Sequence, residues 1–356
     1  MQESREPVAR RPLPPLLSRL GPWLLLCGGL LASLMACASV GALNAPAGEV
    51  LRALWHPEDA SATAQAIIQI RFPRLALAAL IGVTLALCGC AMQALFRNPL
   101  AEPGLVGVSS GAALGAALLL VLGTHWPTLN EIPQALRLPL AAFAGASASA
   151  WLVIRLSLVD GQARVATLLL AGLAINAIAG AGLGLLSVIA DDRALRSLTF
   201  WLFGSLGRSG WTALLYALPL LLLPLLLAAP GTQRQLNALL LGEAAAAHLG
   251  VPITQLKQRL MLVVVAGVGA SVALAGIIGF VGLIVPHLIR LWLGPDHRVL
   301  IPASALAGAS LLLLADAASR SVAEPNEVPI GVITALIGGP FFLALLMRRR
   351  GSVDLG

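Results

Sequence analysis

The chain has 356 residues, 58% of them hydrophobic and 11% charged, with a formal net charge of +7. Soluble domains carry roughly 25% charged residues, so this composition excludes one and points to a helical membrane protein. The positive charge does not indicate nucleic acid, because the basic residues are scattered over many connections with no aromatic platform among them.

Apolar runs long enough to cross a hydrocarbon core of about 30 Å predict ten transmembrane helices. They lie over 22–43, 75–96, 104–123, 138–158, 166–190, 211–229, 260–275, 277–294, 299–317 and 329–347. As one helix the run 260–294 would extend about 52 Å, too long for one crossing, so it is divided at Ala275-Gly276. With the N-terminus inside, the inner connections hold 15 Arg or Lys against 7 acidic residues, and the outer ones 8 against 9. That is the sense the positive-inside rule requires. A single crossing over 260–294 would instead carry Arg298 and Arg348-Arg349-Arg350 outside.

The expectation is therefore one all-α integral membrane domain over 1–356, with both termini cytoplasmic. It comprises an N-terminal segment (1–21), a ten-helix core (22–347) containing a cytoplasmic loop (231–258), and a tail (348–356). Arg10-Arg11, an apolar run and Leu34-Met-Ala-Cys37 have features of a lipoprotein signal. The run is long for one and Met35 is unusual there, so it is read as the first span.

Several chemistries are missing. A P-loop needs Gly-Lys-Ser/Thr to reach phosphates, yet the single lysine, Lys257, follows Leu256, so the chain is expected to hydrolyse no ATP. No Asp or Glu falls mid-span; Asp316 lies near a span end, and Asp191 and Asp192 lie beyond one. That argues against an ion-coupled secondary carrier, the alternative class, which keeps a carboxylate deep in the membrane. The five histidines show no metal-ligand spacing, and Cys27, Cys37, Cys88 and Cys90 fall in apolar spans as packing residues. Neither an enzyme nor a bound metal or cofactor is expected.

The most informative segment starts at Arg71-Phe-Pro-Arg74 and continues through the second span to Asn98-Pro-Leu-Ala-Glu-Pro-Gly-Leu-Val-Gly107. Two prolines must break the helix there. Irregular backbone at membrane depth survives only buried in protein or along an aqueous path, so the segment is a pathway-lining turn or a surface loop. Together with Gly279-Phe-Val-Gly-Leu-Ile-Val-Pro-His-Leu-Ile-Arg290, Asp296-His-Arg-Val-Leu-Ile-Pro302 and Pro329-Ile-Gly-Val-Ile-Thr-Ala-Leu-Ile-Gly-Gly-Pro340, it resembles the permease family of cobalamin, ferric-siderophore and heme ABC importers.

The resemblance covers most of the chain and implies a type II importer permease in the bacterial inner membrane. It implies a homodimer with two cytoplasmic ATP-binding subunits and a periplasmic substrate-binding protein. ATP is then bound by the partner subunits, and the cargo passes by alternating access. Arg71, Arg74 and Arg320 match positions that accept glutamates of the binding protein, and on this topology they are expected as exposed cations at the outer mouth. Snorkelling at span ends is the alternative for each.

In the inner loop, Gly242, Glu243, Ala246, Leu249 and Gly250 match the element that couples to the ATPase; otherwise it is an Ala-rich connecting helix. The resemblance places Asn98 and Leu100 at the inner gate and lines the axis with the fifth span, where the small Gly172 and Gly180 permit close helix approach or a smooth path wall. Val165 and Ala166 stand where the cobalamin permease carries small hydroxyl residues, which favours a flatter or more apolar cargo. The run Leu195-Arg-Ser-Leu-Thr-Phe-Trp201 most resembles the heme-importing branch. There Arg193 and Arg196 would attract propionates, and Phe200 or Trp201 would face the porphyrin, unless the segment is an interfacial belt. Heme is the expected cargo, with cobalamin or a ferric siderophore as the alternative.

Overall fold

A computed structural model of the chain describes residues 15–39, 48, 52, 55, 67–126, 131–159, 162–163, 165–207, 210–323 and 326–353. Most of the expected N-terminal segment (1–14) and the end of the tail (354–356) lie outside them. The described residues form thirteen α-helices and one two-residue antiparallel ladder, Leu158–Val159 with Gln162–Ala163.

Ten helices correspond to the ten expected spans: α1 (Pro15–Ser39), α2 (Phe72–Leu95), α3 (Val108–Leu122), α4 (Gln134–Ser157), α5 (Val165–Ile189), α7 (Trp211–Leu222), α10 (Ile253–Ala275), α11 (Val281–Leu293), α12 (His297–Ser321) and α13 (Ile330–Val353). Seven are long and apolar enough to cross a membrane, α7 with its 3₁₀ continuation Leu223–Ala228; α3, α11 and the apolar part of α13 are shorter. The remaining helices are short: α6 (Asp192–Leu202), α8 (Pro230–Leu239) and α9 (Glu243–His248).

The short spans α3 and α11 have a common cause. Each is entered through irregular backbone, 96–107 before α3 and 276–280 before α11. The expected break after Ala275 is present, because Gly276 at φ +71° caps α10 in a conformation open to glycine. A Cβ there would strike the Trp201 carbonyl.

α2 and α10 are the central helices, buried over most of their length. α2 packs by backbone approach, with Gly82 against the Gly308 carbonyl of α12 and Gly89 against the Gly282 carbonyl of α11. Lipid offers no hydrophobic force between helices, so close van der Waals contact at small residues holds such pairs. Gly111 and Gly115 of α3 serve the same end, meeting Gly145 and Ala141 of α4.

At the inner end, Asn237 of α8 donates to Asp296 Oδ1 (2.6 Å) and accepts from the His297 N–H (2.9 Å), clasping α8 to α12. The Arg298 backbone N–H and the Asn237 amide hold the Asp296 carboxyl below its ordinary range.

Candidate functional site

At the outer end, Arg71, Arg74 and Arg320 come together, but not as exposed cations: each is only 8% exposed. Arg74 Nε donates to Asp316 Oδ1 at 2.9 Å, and its two terminal nitrogens donate to Glu327 at 2.8 and 3.0 Å. Arg320 donates to Asp316 Oδ2 (3.2 Å) and to the Cys37 carbonyl (2.7 Å), while Arg71 donates to the Ala38 carbonyl (2.6 Å). The correction has a physical reason. Asp316 is fully buried, and a carboxylate at that depth is tolerated only with cations around it. Glu327, 46% exposed at its side chain, is the open member of the cluster.

Sequence reading missed Asp316 and Glu327. The spacing of Asp316 and Arg320, four residues apart on one helix, was the available signal. Beside the cluster lies a cavity of about 640 Å³ lined by Arg74, Glu327, Leu138, Phe200, Trp201 and Thr212 among others.

α6 is capped by Asp191, whose Oδ1 accepts the Ala194 N–H at 2.7 Å. Arg193, Arg196 and Phe200, at i, i+3 and i+7, share its exposed face, with Phe200 58% exposed. Trp201 does not join them. At 5% exposed it packs into the core, because successive residues on a helix point about 100° apart. Phe203, half exposed, was not foreseen beside Phe200.

Behind α6 the backbone is tied to two spans. The Ser205 N–H donates to the Ala275 carbonyl (2.8 Å), and the Ile330 and Gly331 N–H groups donate to Gly204 and Phe203 (3.1 and 3.0 Å).

The 96–107 segment is re-entrant. Leu100 N–H bonds Asn98 Oδ1 at 3.0 Å, making a tight turn with Asn98 exposed and Leu100 half-buried. The chain then climbs until Gly107 meets Ile175 and Asn176 of α5, about 15 Å along that helix from Val165. Ser110 and Asn176 hydrogen-bond across the junction, and Glu102 Oε1 accepts the Phe280 N–H at 3.1 Å, joining the two irregular segments. Phe280 is itself at φ +68°, uncommon for a bulky residue.

On α5, Ala166 and Gly180 lie on the exposed face, and nothing lies within 4 Å of a Cβ built at Gly180. Gly172 is instead buried on the face carrying Leu168, Ala171 and Ile175, so the structure does not bring it to that wall. Val165 is the first residue of the helix.

In the inner loop, Gly242 (φ +107°) and Gly250 (φ +81°) are turn glycines at the two ends of α9. Leu249 is 65% exposed, whereas Ala246 is fully buried and faces the bundle, away from any partner. Glu243 Oε2 accepts from Lys257 Nζ of α10 at 2.7 Å.

Residues 29–348 match the FecCD transport family. The chain belongs to that family.

FecCD proteins similar to this one include the hemin transport system permease protein HmuU of Yersinia pestis, 44% identical over 337 residues, spanning 93% of this chain and 98% of that protein. The cobalamin import system permease protein BtuC of Halobacterium salinarum is 45% identical over 290 residues, 81% of this chain and 75% of that protein. A solved metal-chelate type ABC transporter in an inward-facing conformation superposes with a TM-score of 0.79 at 32% identity, covering 92% of this chain and 99% of its own. This FecCD protein is thus a multi-pass ABC importer permease without an ATPase site of its own, working with ATP-binding subunits and a substrate-binding protein.

Proposed function

We propose that this permease imports heme across the bacterial inner membrane, as a homodimer whose cargo follows the axis between two copies. The observation that carries the reading is the exposed face of α6, where Arg193, Arg196 and Phe200 present two guanidiniums and an aromatic ring. Guanidiniums pair with propionate carboxylates, and the ring stacks on the porphyrin plane. The 44% identity to a hemin permease over nearly the whole chain supports the same cargo.

The other roles follow the geometry. The binding protein docks over the outer cluster, where a carboxylate from it meets Arg74 in competition with Glu327. The Asn98–Leu100 turn closes the axis inside, and α9 with Leu249 meets the ATP-binding subunit. A cobalamin or ferric-siderophore cargo is the second reading, favoured by the 45% identity to a cobalamin permease.

The test is ATP-dependent uptake into proteoliposomes containing the permease, its ATPase and its binding protein, with heme, cobalamin and a ferric siderophore compared. Heme accumulation that falls at least about tenfold in Arg193→Ala/Arg196→Ala is the expected result. Full heme uptake by the double variant overturns the role of α6, uptake of another chelate alone overturns the cargo, and ATP-independent uptake overturns the machine.

A further inference from the structure

α9 is a six-residue helix between two glycines of positive φ, Gly242 and Gly250, turns that another residue would adopt only with strain. Its buried Ala246 packs into the bundle, but beside that contact lies an open cleft. Ala244 and Ala247 border a cavity of about 510 Å³ whose far walls include Leu95, Phe96, Met261 and Leu262. A close-packed interior passes displacement from element to element, whereas a cavity absorbs it. Motion of α9 therefore reaches α10 through the buried Ala246, the short connection 249–252 and a side-chain contact between the two helices.

That contact is present at the rim of the same cavity, where Lys257 Nζ meets Glu243 Oε2 at 2.7 Å, the lysine side chain 11% exposed and the glutamate 38%. Lys257 sits in the second turn of α10, a helix of 23 residues with no proline inside it, about 34 Å long. Its far end, Ala275, accepts the Ser205 N–H, and Gly276 lies under the Trp201 carbonyl. One continuous, largely buried helix thus runs from the α9 ion pair to the loop that follows α6.

We propose that the Glu243–Lys257 ion pair is the positioning contact that passes movement of α9 into α10 and so to the outer loop at 203–207. This rests on the reading of α9 as the element facing the ATP-binding subunit. Neither residue touches cargo or nucleotide; both act through α10.

The experiment uses the full transporter in proteoliposomes and measures cargo moved per ATP hydrolysed. Lys257→Met is expected to keep binding-protein-stimulated ATPase within about twofold while lowering cargo per ATP at least about fivefold. Lys257→Arg, which retains the charge, and the exchange Glu243→Lys/Lys257→Glu, which restores the pair, are expected to recover most of the loss. A residue needed only for folding would lower both readouts together and would gain nothing from the exchange. Unchanged cargo per ATP in Lys257→Met, or an exchange no better than the single variants, overturns the proposal. Ala247→Cys, exposed on α9, is cross-linked in parallel to cysteines in the ATP-binding subunit. No cross-link sinks the reading of α9 itself, while a cross-link with unaltered Lys257→Met sinks the ion-pair inference alone.

Discussion

Asp316 shows how one buried charge organises its surroundings. Fully enclosed near the outer end of α12, it draws the guanidiniums of Arg74 from α2 and Arg320 from its own helix, and the Cys37 thiol of α1 is 3.4 Å away. Removing the carboxylate leaves the buried Arg320 without its counter-ion and Arg74 with Glu327 alone, so Asp316→Ala should cost about 3 to 5 kcal/mol, visible as a lower melting temperature in detergent. A loss below about 1 kcal/mol would mean water reaches the cluster and screens it. Glu327, half in solvent, belongs to a different category: Glu327→Gln should change stability by less than about 1 kcal/mol. The same change should tighten binding-protein affinity, measured on nanodisc-held permease, because the Arg74 fork no longer has an internal carboxylate. Unchanged or weaker affinity would argue that Arg74 serves the fold alone.

Among the elements, the glycines separate into two kinds. Gly82 faces the Gly308 backbone with no room for a methyl group, so Gly82→Ala must push α2 away from α12, at a cost of about 1 to 3 kcal/mol. Nothing lies within 4 Å of a Cβ at Gly184 on α5, so Gly184→Ala should leave the monomer's stability within about 0.5 kcal/mol. Equal losses for the two would show that α5 is packed against something in the folded unit that a single chain lacks.

The same contrast explains what could be read from sequence. The ten helices were legible because each carries an apolar run, seven of them long enough to cross a bilayer, and the division at Ala275-Gly276 was legible from length and charge. Rotational setting was not. α5 is apolar all round, so nothing in its sequence distinguishes the packed Gly172 from the open Gly180. Burial of Arg74 was hidden for a related reason. Its partners Asp316 and Glu327 are 242 and 253 residues away, and their convergence is a product of the tertiary fold. Phe200 and Trp201 differ by one residue, the difference between the wet face of α6 and its dry one.

At the scale of the molecule, the described helices leave extensive apolar surface. On α5, Leu170, Leu173, Ile178, Leu185 and Val188 are all more than 60% exposed, and Leu336 and Leu343 of α13 are similar. Lipid can cover such a surface, but the proposed axis needs a second copy along part of it. Leu173→Cys or Ile178→Cys should therefore form a disulfide-linked dimer in native membranes under mild oxidation, seen as a doubled mass on non-reducing gels. Cysteines at outward positions such as Leu24 of α1, also exposed, should not. Dimers from both classes alike would indicate random collision in the membrane.

The position of Lys257 has a practical side. A chain of 356 residues with one lysine offers amine chemistry a single side-chain target, and that target is one half of the α9–α10 ion pair. Reductive methylation with carbon-13 formaldehyde would place one nuclear spin label there without any substitution, keeping the positive charge. Its chemical shift would then report, in each nucleotide state, whether that joint is closed.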